Sequence, residues 1–134
     1  MKDVIFDDFQ NAVSESLLRH RSILDILTKL QDSEGRINRA VVKSVTNCGC
    51  IQIQAEKQKT FDDSEDMDIH TLKNSMQTHV KGHLCDNCRD VIEREIGNNI
   101  FYLASMCNLL DLNLYDILLK EYDRINTLGK YTLR

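Results

Sequence analysis

Four of the five cysteines in this 134-residue chain are spaced for joint chemistry. Cys85 and Cys88 form a Cys-x-x-Cys pair, and Cys48 and Cys50 form a Cys-x-Cys pair in NCGC, with 34 residues between the pairs. Tetrahedral structural metal sites are usually supplied this way, as two short thiol pairs that the fold brings together. The spacing predicts one ion shared by Cys48, Cys50, Cys85 and Cys88, and four thiolates favour zinc. An iron–sulfur cluster or a disulfide switch are alternative uses of the same thiols. Unrelated buried cysteines are the plain alternative.

The other candidate ligands fit less well. His83 lies two residues before Cys85 and reads as a neighbour of the site rather than a ligand. Cys107 falls in an apolar helical stripe and reads as a packed core thiol. His20, His70 and His79 have no partner at ligand spacing and are expected at the surface.

Bulk properties bound what such a site serves. A chain of this length is most simply one domain, residues 1–134, with a cysteine-bearing connection at about 47–88. The composition, 28% charged and 42% hydrophobic, is that of a soluble globular protein. A net charge of −4 argues against a nucleic-acid surface, and Arg19, His20 and Arg21 form only a short basic cluster. No apolar run approaches the roughly 20 residues of a membrane span, so no membrane partner is expected. The start, MKDVIFDD, lacks the basic flank and apolar run of a secretory signal, which implies a cytoplasmic protein with reduced thiols.

The elements that must position the thiols read as helices. Proline is absent, so nothing forces a kink. Val4, Ile5, Phe9, Val13, Leu17 and Leu18 recur at helical spacing over residues 3 to 19, with Asp3 as cap. RHRS then either bends the chain or continues the helix. Ser22 caps a second helix whose apolar stripe runs to about residue 46 and is interrupted by Gly35, where another helix is expected to approach closely. IQIQAEKQ alternates like a strand but has no visible partner. Residues 60 to 68 hold five acids and no base and read as a solvated loop. A short helix is expected over 69 to 81, capped by Asp68 and ended by Gly82. The long helix runs from about residue 86, with Asp86 or Asn87 as its cap and Val91, Ile92, Ile96, Ile100, Leu103, Cys107 and Leu110 at helical spacing. A last helix is capped by Asn113, faces Leu114, Ile117, Leu118 and Ile125 inward, and ends at Gly129. The fold class is therefore all-α, a bundle of four to five helices with a four-cysteine knuckle between the second and fourth.

Two segments resemble a known family. KLQDSEGRINRAV, on the second helix, and EIGNNIFYLASMCNLLDLNLYDIL, on the fourth, are similar in frame to the two signatures of the MazG-like, all-α nucleotide pyrophosphohydrolases. The resemblance covers roughly residues 20 to 46 and 89 to 129, and the cysteine pairs fall in the connection between. It implies a homodimer, through the aliphatic faces of residues 4 to 30 and 100 to 118, and a nucleotide ligand. In that family two acids three apart on one helix, and a Glu and an Asp three apart on the next, coordinate Mg²⁺. Here the first pair falls on Ser33 and Arg36 and the second on Glu95 and Asn98, so only Glu95 keeps its charge.

Three functions are thus open from the sequence. The first is a non-catalytic, zinc-stapled helical protein acting through binding or regulation, with Arg36 and Arg39 beside Glu95 free to hold an anion or form a salt bridge. The second is a Mg²⁺-dependent nucleoside triphosphate pyrophosphohydrolase, in which Glu95, Asp32, Glu34 and Glu93 carry the metal chemistry. The third is a thiol redox or iron–sulfur sensor.

Overall fold

A computed structural model describes residues 4–58 and 69–132. Five helices and one two-stranded sheet follow one another as α1 (Ile5–Ser16), α2 (Ile23–Lys43), β1 (Ile51–Ile53), α3 (Ile69–Ser75), β2 (Val80–Gly82), α4 (Asp86–Leu109) and α5 (Leu114–Thr132). The acidic stretch and the Asp3 and Asp68 caps lie outside the described residues. No helix among the described residues is long and apolar enough to cross a membrane.

The long pair α2 and α4 is the centre of the structure. Ser22 caps α2 as the sequence predicts, its hydroxyl accepting from the Leu24 N–H at 3.2 Å. Ile26 and Ser33 are buried on α2, and Ile92, Ala104, Ser105 and Cys107 on α4. Ser33 Oγ donates to the Leu30 carbonyl at 2.6 Å and accepts from Asn99 Nδ2 at 3.0 Å, so its polarity is satisfied inside the seam. Burial pushes the Cys107 thiol pKa up, as expected of a packed core cysteine.

Helix α1 docks on the end of α4 and the turn into α5, with Gln10 at the centre of the contact. Gln10 is buried, its Nε2 donating to Asn108 Oδ1 at 2.9 Å and to the Leu112 carbonyl at 3.0 Å. Its Oε1 accepts from the Leu114 N–H at 2.7 Å. Asn113 caps α5 as predicted, accepting from the Asp116 N–H, and also donates to Asp7. Phe6 and Tyr115 add a ring contact with centroids 6.2 Å apart.

Several expectations are corrected. The first helix ends at Ser16, because the chain turns extended at Leu17 and RHRS is a bend rather than helix. IQIQ is not solitary: Ile51–Ile53 pairs antiparallel with Val80–Gly82, Ile51 opposite Gly82 and Ile53 opposite Val80. The expected helix over 69 to 81 therefore stops at Ser75. His79, at φ 61°, turns the chain back into β2. Gly35 meets no close helix, since a Cβ there would find nothing within 4 Å. Helix α5 continues past Gly129 to Thr132.

The inward faces were read too wide. Ile117, Leu118 and Ile125 of α5 are exposed, as are Val91, Ile96, Ile100 and Leu110 on or beside α4. Helical periodicity identifies an apolar face but not what covers it.

Candidate metal centre and adjoining cleft

Each thiol arrives from a different local device. At the end of α2 the helix widens into a π-helical turn, Ser44–Cys48, a form found often at functional sites. Gly49 closes this turn at φ 79°, its N–H bonding the Ser44 carbonyl at 2.9 Å. A left-handed residue here costs glycine little and reverses the chain between Cys48 and Cys50. Cys50 then leads into β1, its Sγ 3.8 Å from the Ser44 carbonyl.

The second pair sits on the first turn of α4. The N-cap is Cys85 itself, not Asp86 or Asn87, with its Sγ accepting from the Cys88 N–H at 3.4 Å. A sulfur in the cap position faces the orphan N–H groups and the positive end of the helix dipole, which favours thiolate. The hairpin locks the two pairs together. Gly82, at φ 88°, lies so close to Cys50 that a Cβ would stand 2.6 Å from its carbonyl oxygen.

The result is a cluster in which all four Sγ atoms lie within 4.8 Å of one another. Cys48 and Cys85 approach to 3.8 Å. Metal–sulfur bonds of about 2.3 Å in a tetrahedron give sulfur–sulfur edges of about 3.8 Å, so these residues fit a single four-coordinate ion. None of the four is in a disulfide. The Cys88 backbone N–H, then the Cys88 thiol, lower the Cys85 pKa to about 7, while the Cys85 thiol, and then burial, push Cys88 up to about 12. The pair therefore gives up its first proton more readily than an isolated thiol and its second less readily, and a bound cation would favour loss of both.

Among the described residues no other group of three or more His, Cys, Asp or Glu side chains gathers its ligand atoms this way. His83 is exposed and outside the cluster. His79 is half-buried rather than at the surface, and its Nε2 lies 2.7 Å from the Glu56 carbonyl.

The acidic candidates are dispersed. Asp32 is bound by Arg36 at 3.1 Å, and Glu95 faces the same cleft as Asp32 from the opposite helix. Glu34 and Glu93 are exposed and do not line it. Ser33 is buried in the seam and Asn98 is exposed, so neither offers a carboxylate where the resemblance places one.

That cleft, of about 650 Å³, runs between α2 and α4 up to the thiols. Gly35 opens it; Arg36, Arg39 and Lys43 line the α2 side; Asn87, Val91 and Glu95 line the α4 side. Sequence reasoning missed Lys43, Asn47 and Asn87, which become neighbours only when α2 and α4 pair. It also missed the roles of Gly49 and Gly82, although a glycine between two cysteines was a visible turn signal.

No protein-family profile matches the chain, nor does any curated protein or solved structure.

Proposed function

We propose that this is a zinc-stapled helical protein, non-catalytic and acting through binding. The observation that carries the reading is the 3.8 Å Cys48–Cys85 separation within a four-thiol cluster, the edge of a zinc tetrathiolate. A four-iron cluster puts each thiolate on a separate iron and spreads the sulfurs further, so the compact cluster favours one ion. Zinc would cross-link the end of α2, the β1–β2 hairpin and the start of α4, contributing folding free energy directly. Elemental analysis of protein purified anaerobically tests this. One zinc per chain is expected, falling to near zero in Cys48→Ser and Cys85→Ser; metal-free wild-type protein would overturn it.

In the same reading the helices are MazG-like and assemble as a homodimer. The pairing of α2 with α4 is compatible with the resemblance, because both signature segments lie on these two helices. The exposed apolar face of α5 supplies surface for a second copy. The loss of carboxylates at positions 33, 36 and 98 favours binding over hydrolysis.

A second reading, a Mg²⁺-dependent pyrophosphohydrolase, draws on Asp32 and Glu95 sharing one cleft. Pyrophosphate release from a nucleotide panel with Mg²⁺ or Mn²⁺ decides between them. Hydrolysis abolished by Glu95→Gln would favour the enzyme; no release from any nucleotide would favour the binding protein.

A further inference from the structure

Four thiolates close a tetrahedral zinc site and leave no position on the ion for water or substrate. The chemistry left to such a centre is that of its sulfurs, because the bound cation keeps every ligand deprotonated. Here two of the sulfurs face a cavity. Cys48 and Cys88 line the cleft of about 650 Å³ between α2 and α4, a volume within the roughly 300–1,000 Å³ of small-molecule sites. Cys48 is the exposed member of the cluster, while Cys50, Cys85 and Cys88 are half-buried. Cys85 also accepts the Cys88 N–H, which occupies lone-pair density on that sulfur. The π-helical turn, closed five residues apart by the Gly49 N–H on the Ser44 carbonyl, carries Cys48 to the cleft wall.

The rest of the lining suits a small carbon electrophile with a polar oxygen. Ala40 and Val91 supply apolar contact, and the Lys43 ammonium lines the same cleft as the Cys48 sulfur. Among the described residues no hydrogen bond or ion pair engages the Lys43 side chain, so its donors are available to a reactant. We propose that Cys48, as a zinc-bound thiolate, is a modification site for small α,β-unsaturated carbonyl compounds, with Lys43 at the carbonyl oxygen. A sulfur lone pair forms the new C–S bond at the β-carbon, and the alkene π pair moves to the oxygen as an enolate facing Lys43. Water then gives a proton to the α-carbon and departs as hydroxide; no group leaves the electrophile and nothing is oxidised or reduced. The product sulfur is a neutral thioether, so the metal loses a charged ligand and its hold on α2 and α4 weakens. This proposal rests on the zinc reading and adds reactivity at the ligand to it.

The test adds methyl vinyl ketone anaerobically to full-length protein of measured zinc content and locates the adducts by peptide mass mapping. The first adduct is expected on Cys48, at a rate unchanged by excess zinc, followed by zinc release to a chromophoric chelator. Lys43→Gln should slow the ketone about tenfold, the order of one charge-assisted hydrogen bond, with zinc retained and the rate with iodoacetamide unchanged. Lys43→Arg should restore the ketone rate. Cys48→His, which offers zinc a nitrogen in a three-cysteine, one-histidine site, should keep the metal and lose the fast adduct. First labelling of Cys50, Cys85 or Cys88 overturns the proposal. So does a rate that falls with added zinc, because the reaction then runs through metal-free protein, and so does an undiminished ketone rate in zinc-loaded Lys43→Gln. Should Cys48→His fail to fold, the wild-type adduct map decides alone. Metal-free wild-type protein sinks the zinc reading before any ketone is added, whereas zinc-loaded protein labelled elsewhere sinks this proposal only.

Discussion

The Asn99 side-chain amide donates to the Ser33 hydroxyl across 3.0 Å at the buried crossing of α2 and α4. Ser33 is only 1% exposed, and its own hydroxyl donates a hydrogen bond to the Leu30 carbonyl. A position that the family resemblance would give to a metal-binding acid is thus a packed, fully partnered hydroxyl. Ser33→Ala should cost about 1–2 kcal/mol by leaving the Asn99 amide short of an acceptor. Ser33→Asp should cost more, because a carboxylate is then buried without a matched cation. Urea denaturation of the two variants checks the order; an equally stable Ser33→Asp would show that the seam tolerates the acid.

Gln10 makes the corresponding prediction for α1. It joins that helix to Asn108, Leu112 and Leu114 with three hydrogen bonds from one side chain. Gln10→Ala should destabilise the protein by about 1–3 kcal/mol, leaving the half-buried Leu114 N–H without its acceptor. Thermal unfolding should show it, and metal content should be unchanged, since the thiols are at the other end of α4.

Two glycines should respond in opposite directions. Gly82→Ala forces a Cβ to within 2.6 Å of the Cys50 carbonyl oxygen at φ 88°, so the hairpin must shift and metal affinity should fall. Gly35→Ala meets open space in mid-helix and should stabilise by about 1 kcal/mol. Chelator competition and denaturation together read both; equal metal affinity in Gly82→Ala and wild type would remove the hairpin from the site.

Metal affinity should fall as the pH falls. In the metal-free protein Cys85 ionises at about 7 and Cys88 is held up to about 12, so protons compete with the ion for both. Acidification from pH 8 to 6 converts Cys85 from mostly thiolate to mostly thiol and should weaken binding steeply, measured against a chromophoric chelator. In metal-free, reduced protein, alkylation should label Cys85 first and reach half its maximal rate near pH 7.

Helix α5 supplies the last prediction. Leu118 and Ile125 lie seven residues apart on one face and are 49% and 53% exposed. If a second copy covers that face, Leu118→Glu/Ile125→Glu should convert a dimer to monomer in sedimentation without loss of helix content. A wild-type protein that sediments as a monomer would rule the dimer out.

Much of the site was legible in the sequence because thiol chemistry is local. Cys48, Cys50, Cys85 and Cys88 could be paired by spacing alone, and Ser22 and Asn113 announced their helix starts through short-range hydrogen bonding. The caps failed where the residue type was unusual: a cysteine capping α4 has the same geometry as serine but is not read as a cap. Strand β2 was missed for a related reason. Val80 continues the helical periodicity from Ile69, and only the partner Ile51–Ile53, almost thirty residues away, makes Val80–Gly82 extended.

The sequence by itself determined the helical character, the long pair α2 and α4, and the four thiols as one candidate group. Those properties rest on periodicity and spacing within single elements. Only the tertiary structure decided that the thiols lie within 4.8 Å of one another, that Arg39 and Lys43 share a cleft with Glu95, and that Ser33 is buried against Asn99. Each of these depends on the register of α2 against α4. That register is visible in contacts between the elements, Ser33 with Asn99 and Cys48 with Cys85, which leave no periodic mark on either helix alone.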